Sequence, residues 1–318
     1  MPPVPDRSAS GPAAICRNTE LKWGYEALVL ISIPGRSECE PHPQVLPSYL
    51  YAKMQLFSHT KPGKNLSGEL SEFSISRWAA WTPGVHDLQG WREWIKGKRM
   101  SGFDKQPDVS FLPPLLRRRL DHVGRMALHV IWRCAEDHEN LLLVYASRHG
   151  TLSRTVELLN DLARDEPLSP STFSLSVHNS VAGLFSIFRS DTSPAIALAA
   201  GAMTLPAALL EGIGILGEGG RPVFVVYADD LPPHGYQRYM TPEEPGTPEE
   251  PSFALSLLLS PPASTAPWYR LVSKHCVPRR ERPEVTLMRF LVENASTYCL
   301  GLSEPGWQVE RVEIGHDK

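Results

Sequence analysis

Ser193-Pro-Ala-Ile-Ala-Leu-Ala-Ala-Gly-Ala-Met-Thr204 joins two patterns without a break. Residues 195–200 form a short apolar run of strand length, and residues 203–216 space their apolar side chains as a helix does. A buried strand leading straight into a helix is the repeating unit of an α/β fold, in which helices cover both faces of a sheet. On either side of this stretch the same alternation recurs. An apolar run at 141–146 precedes a helical pattern at 153–164, and a Ser/Pro turn opens a second helical stretch that reaches about residue 188. Strand-like text returns at 223–227 and 253–259.

Upstream, residues 73–78 alternate apolar and polar side chains, as a half-buried strand does. Between Pro114 and Asp137, Leu115, Leu116, Leu120, Val123, Met126, Ala127, Val130, Ile131 and Cys134 recur at spacings of three and four, which predicts one long amphipathic helix. A last helix fits 285–294, and 307–314 is placed to close the sheet. Residues 1–70 mix Pro, Ser, Gly and Lys around a single apolar stretch at 27–33. They read as a poorly ordered extension, with Met54 as an alternative start, before a domain spanning 71–318. The tandem Thr241-Pro-Glu-Glu-Pro and Thr247-Pro-Glu-Glu-Pro makes an exposed acidic loop of 239–252 within that domain.

Composition bounds the function. The 318 residues are 42% hydrophobic and 21% charged, with a formal net charge of -3, so disordered and fibrous classes are excluded. Lys+Arg 32 against Asp+Glu 35 offers no basic excess for nucleic acid. There is no apolar run of about 20 residues to span a bilayer and no signal-peptide pattern at the start. The expectation is a cytoplasmic protein without a transmembrane segment. Cys16, Cys39, Cys134, Cys276 and Cys299 are odd in number and scattered, so they read as buried hydrophobes or idle thiols. Neither a metal site nor a cofactor is expected. Gly212-Ile-Gly-Ile-Leu-Gly217 matches a dinucleotide fingerprint in letters only, because here the glycines follow a helix instead of opening one. They are expected to end that helix. His122, His129 and His178 share no ligand or triad spacing.

The constellation that carries chemistry runs from Pro170 to Thr204. Pro-Ser-Thr-Phe-Ser-Leu-Ser-Val-His-Asn-Ser-Val-Ala-Gly precedes the stretch quoted first. It resembles the β-ketoacyl synthases of the thiolase superfamily. In that family a helix carrying Asn and Val-Ala-Gly, here Asn179 and Val181 to Gly183, precedes a strand that delivers a nucleophilic Cys to the N-terminus of the next helix. A thiolate at such a turn is stabilised by the helix dipole, and free backbone N–H groups there serve as an oxyanion hole. Alignment puts Ala202 at the Cys position. His149-Gly-Thr151 resembles the family's catalytic His-Gly-Thr but lies on the wrong side of the nucleophile strand, so it reads as a turn. Of the later histidines, His234, His275 and His316, none sits in that motif. Condensation would therefore lack its nucleophile and both histidine donors.

The resemblance is closest to the short chain-length-factor relatives of aryl polyene and related pigment clusters, and it covers about residues 73 to 309. It implies a thiolase-like layered sheet equivalent to the N-terminal half of a β-ketoacyl synthase, with a truncated C-terminal half. It also implies a catalytically silent subunit that forms a heterodimer with an active β-ketoacyl synthase, works with an acyl carrier protein and helps set acyl chain length in fatty-acid or polyketide-type biosynthesis. The pairing strand would comprise Ala195, Ile196, Ala197, Leu198, Ala199 and Ala200. Thr155, Val156, Leu159, Leu162 and Phe173 map to the tunnel-closing region, although the same spacing fits plain core residues. Asn179 and Gly183 belong to the structural motif. Two other readings stand beside this one. One is an active synthase or acyltransferase using Thr204, Ser193 or a cysteine outside the motif, and the other is a stand-alone acyl-chain or acyl-carrier binder.

Overall fold

A computed structural model describes residues 69–98, 106–135, 138–140, 142–233, 235–236, 252–262, 267–274, 281–301 and 307–312. Most of residues 1–70 and of the acidic loop 239–252 lie outside the described residues, as do His234, His275 and His316. In chain order the elements are β1 (Glu69–Trp81), α1 (Leu88–Ile95), α2 (Pro114–Arg117), α3 (His122–Ala135), β2 (Leu142–Ala146), α4 (Leu152–Ala163), α5 (Pro170–Ser174) and α6 (Ser180–Arg189). Then come β3 (Ala195–Leu198), a 3-10 turn (Gly201–Met203), α7 (Thr204–Gly219), β4 (Val223–Asp229), β5 (Phe253–Ser260), β6 (Trp268–Ser273), α8 (Pro283–Val292), β7 (Thr297–Cys299) and β8 (Trp307–Val312).

The eight strands form one sheet in the order β3-β2-β4-β5-β1-β6-β8-β7. β2 lies parallel to both β3 and β4, and every other neighbouring pair is antiparallel. The runs Val223–Asp229 and Phe253–Ser260 are apolar on both faces because both faces are covered. On one side α3 lays Met126, Ala127, Val130 and Ile131 against Tyr145, Phe224, Val226 and Leu258. On the other, α7 sets Leu205, Leu209 and Ile213 against Val144, Val225 and Leu257, with α1 and α8 beside it. Each buried Leu, Ile, Val, Met or Phe side chain among them contributes about 1.5–3 kcal/mol of burial free energy, which makes α3 and α7 the two halves of the core.

Several expectations need correction. The helix anticipated from Pro114 to Asp137 is two helices, α2 and α3. Asp121 Oδ1 accepts from Gly124 N at 2.9 Å and starts α3 afresh. The Arg125 guanidinium, 2.8 Å from Arg117 O, satisfies a carbonyl left open at the end of α2. The stretch up to residue 188 is likewise split, with α5 closed by Ser176 Oγ on Phe173 O at 2.9 Å. Nor do the glycines at 212–217 end their helix. α7 continues to Gly219 and is closed by Gly220 (φ +61), whose N donates to Leu216 O at 2.8 Å. Gly212 matters for packing instead. A Cβ there would lie 2.3 Å from Val225 Cγ2, so its bare backbone lets α7 sit close on the sheet. β3 stops at Leu198, two residues short of the anticipated run. Finally, the cysteines divide: Cys134 is a buried free thiol, whereas Cys299 is disulfide-bonded, contrary to the expectation of idle thiols.

Candidate functional site

β3 is the outermost strand of the sheet on its side. Its inner neighbour β2 takes the register Leu143–Ala195 to Ala146–Leu198, with the carbonyls of Pro194 and Leu198 accepting from Leu143 N at 3.3 Å and Ser147 N at 3.2 Å. Backbone groups alternate sides along a strand, so those of Ala195 and Ala197 face outward, where no strand lies among the described residues. Ala197 alone is buried; Ala195, Ile196, Leu198, Ala199 and Ala200 remain half-exposed.

The chain then turns through Gly201, at φ +56, into the 3-10 turn and α7. Ala202 lies exposed in that turn, at the entrance of α7. Thr204 is buried, and its Oγ1 both donates to Gly201 O at 2.7 Å and accepts from Ala200 N at 2.9 Å. Its hydroxyl is spent on holding the turn. Ser193 sits at the entry of β3, its N donating to Asp191 Oδ1 at 2.8 Å. No imidazole hydrogen-bonds either hydroxyl among the described residues.

The residues mapped to the tunnel-closing region are not core. Leu159, Leu162 and Phe173 are 49%, 62% and 62% exposed, while Thr155 and Val156 are half-buried. α4 buries only Leu158. α4 and α5 pack on each other, and Leu168 and Val177 add to their outward apolar surface. An apolar face of this kind on a folded chain marks an interface or a ligand surface. α6 follows, with Asn179 at its N-cap position making no side-chain cap bond. Gly183 is exposed in mid-helix, with nothing within 4 Å of where its Cβ would be.

A polar cluster that sequence reasoning missed closes the C-terminal ends of β2 and β4. Asp229 accepts from Ser147 Oγ at 3.0 Å and His149 N at 3.1 Å, and its Oδ2 lies 3.3 Å from His149 Nδ1. Ser147 Oγ also accepts from Gly150 N at 2.8 Å, so this buried hydroxyl is a brace and not a nucleophile. One residue past β4, Asp230 Oδ2 meets His122 Nδ1 at 2.9 Å, and Ser252 Oγ donates to its other oxygen at 2.5 Å. Burial alone would raise the Asp230 carboxyl, but the His122 and Ser252 hydrogen bonds hold it below the usual carboxylate range. The one sequence signal was Asp229-Asp230 ending an apolar strand. His149-Gly-Thr151 is a turn, as expected. Burial pushes the Cys134 thiol up to about 11, which leaves it inert as a nucleophile. No group of three His, Cys, Asp or Glu among the described residues could hold a metal ion. No described helix is long and apolar enough to cross a membrane.

The site therefore sits on a mixed sheet covered on both faces, where an edge strand turns directly into a buried helix. The family model of the beta-ketoacyl synthase N-terminal domain matches residues 91–308. The chain belongs to that family. No curated protein matches it. Among solved structures it is similar to a chain of the complex of ketosynthase ApeO with its chain length factor ApeC from Xenorhabdus doucetiae. The two are 23% identical with a TM-score of 0.61, over 76% of this chain and 100% of that one. It is also similar to the ishigamide ketosynthase/chain length factor, at 16% identity and a TM-score of 0.50, over 63% of this chain and 65% of that chain. At these identities the likeness is one of fold.

Proposed function

We propose that this chain is a chain-length-factor-like subunit that pairs through β3 with an active β-ketoacyl synthase and closes the far end of its partner's acyl tunnel with α4 and α5. The observation that carries the reading is an edge of β3 with no neighbouring strand among the described residues, on a chain that also exposes apolar side chains on α4 and α5. Outward backbone groups at Ala195 and Ala197 supply a template for a partner strand, and Leu159, Leu162 and Phe173 supply apolar area whose burial drives association. Gly183 fits the same picture, because nothing among the described residues requires a glycine there and a close neighbour would. The solved relatives described above as ketosynthase and chain length factor support the pairing.

Within this reading Ala202 takes the place of the nucleophile. Its methyl group cannot be acylated, so the covalent acyl transfer of the condensation belongs to the partner. Thr204 does not replace it, since both hydrogen bonds of its hydroxyl hold the turn. The product class is a polyketide-type chain of the aryl polyene kind, whose length is limited by steric opposition at Leu162 and Phe173. Residence in the cytoplasm completes the proposal. The Cys299 disulfide is the feature that pulls the other way, because cytosolic thiols are kept reduced in most cells.

The test is co-expression with a Cys-His-His ketosynthase from the same organism, followed by the solution mass of the purified complex. A one-to-one heterodimer is expected. A chain that purifies alone as a monomer or homodimer would sink the reading for that synthase, and acylation of the isolated chain by a loaded acyl carrier protein would restore the enzyme alternative.

A further inference from the structure

We propose that His178 is a positioning residue that locks the end of the edge strand to the 147–151 turn, thereby fixing the surface offered to a synthase. The inference rests on the pairing reading above for its purpose, though not for its geometry. Leu198 O, the last carbonyl of β3, receives two donors: Ser147 N at 3.2 Å and His178 Nε2 at 3.1 Å. That contact makes His178 the Nε2–H tautomer. His178 thus takes the second acceptor site of the carbonyl at which the β2–β3 ladder ends, while the next N–H on that side, Ala200 N, turns away to Thr204 Oγ1, so the strand is two residues shorter than its apolar run.

The other nitrogen of His178 lies over Gly150. A Cβ at that position would fall 2.7 Å from Nδ1, and Gly150 also has φ +56, so glycine is required there twice over. A hydrogen bond ties the same two segments, as Thr151 Oγ1 donates to Ser176 O at 3.0 Å. Gly150 N is in turn held by Ser147 Oγ, whose own proton goes to Asp229. Three pieces of chain therefore meet at one imidazole: the turn after β2, the link between α5 and α6, and the end of β3. The link carries Val177 and leads back to Phe173, and the end of β3 leads on to Ala202. His178 thus sets the spacing between the two surfaces that pairing would use.

Hydrogen exchange of the full chain tests the brace without a partner. In His178→Ala the amides of Ser147, Ala200 and Met203 should exchange about tenfold faster, while those of Val225 and Leu257 in the central strands keep their protection. His178→Gln, which can return a donor to Leu198 O, should restore the slow rates. Gly150→Ala should reproduce the loss by displacing the ring, and it stands in if His178→Ala does not fold. Unchanged exchange at the three amides, uniformly faster exchange across β4 and β5, or no rescue by Gln would each overturn the role. In the pair, His178→Ala should weaken association about tenfold and broaden the product lengths, with His178→Gln restoring both. The expected exchange pattern combined with a wild-type chain that binds no synthase would remove the pairing reading and leave the brace standing.

Discussion

The Tyr227 hydroxyl donates to Glu284 Oε1 at 2.7 Å, joining the end of β4 to the first turn of α8 across 57 residues of chain. Both side chains are buried, and Arg282 Nε lies 3.5 Å from the other oxygen of Glu284. Burial first, then the nearby Glu284 and Asp229 carboxylates, push the Tyr227 phenol well above its ordinary range, so it stays a donor at every physiological pH. Tyr227→Phe removes that donor and leaves a buried carboxylate short of a partner. The expected loss is about 1.5–3 kcal/mol, read as a lower denaturant midpoint at unchanged slope.

Gly212→Ala should destabilise the fold even though alanine favours a helix. The new methyl would sit 2.3 Å from Val225 Cγ2 and 3.1 Å from Leu259 Cδ1, both side chains of the packed sheet. Overpacking of this kind costs about 1–3 kcal/mol. Adding Val225→Ala should recover part of the loss in thermal melts. Full tolerance of the single change would show that α7 can lift from the sheet without cost.

Stability should fall on mild acidification through His129. Burial holds this imidazole below its ordinary value of 6.5, and its Nδ1 contacts Asp108 O at 2.8 Å. The unfolded chain then binds the proton more readily than the folded one, so the contribution is complete above 6.5 and is lost as pH falls toward the depressed folded value. His129→Asn keeps a donor for Asp108 O and cannot titrate. Denaturant midpoints measured from about pH 7.5 to 5 should slope less in this variant than in the wild type.

Ala195→Pro addresses the open edge. The outward N–H of Ala195 has no partner within the described sheet, so its loss should leave the stability of the isolated chain within about 1 kcal/mol. Association with a synthase should weaken at least about tenfold if a partner strand uses that group. Sedimentation of the mixed proteins separates the two effects.

Phe173→Ala probes length control. Because Phe173 is 62% exposed in the isolated chain, truncation should change its melting little, whereas the assembled pair should release longer products. Product lengths that stay the same in a pair that still assembles would remove Phe173 as a gate.

The legible parts of this fold were those where periodicity and burial coincide. The helix that starts at Thr204, the run at 223–227 and the run at 253–259 are apolar because they are buried in the core between sheet and helices. The illegible parts depended on single contacts across the chain. Nothing in the spacing of Leu116, Leu120 and Val123 announces that Asp121 restarts the helix with one capping bond. β6, β7 and α1 escaped notice because Trp268–Ser273, Thr297–Cys299 and Leu88–Ile95 are short or mixed in polarity. At the candidate site, the apolar run at 195–200 was legible as a strand, and the structure makes it the edge strand β3 over Ala195–Leu198. The meeting of His178 with Gly150 and Leu198 lay hidden, since three segments far apart in the chain contribute one contact each.

A sheet edge such as Ala195–Leu198, with no strand beside its outer backbone among the described residues, is sticky toward any extended chain, including another copy of itself. Solubility of this protein should accordingly follow supply and demand. Made in step with a synthase, it would be capped as it folds; made in excess, it should precipitate in proportion to the surplus.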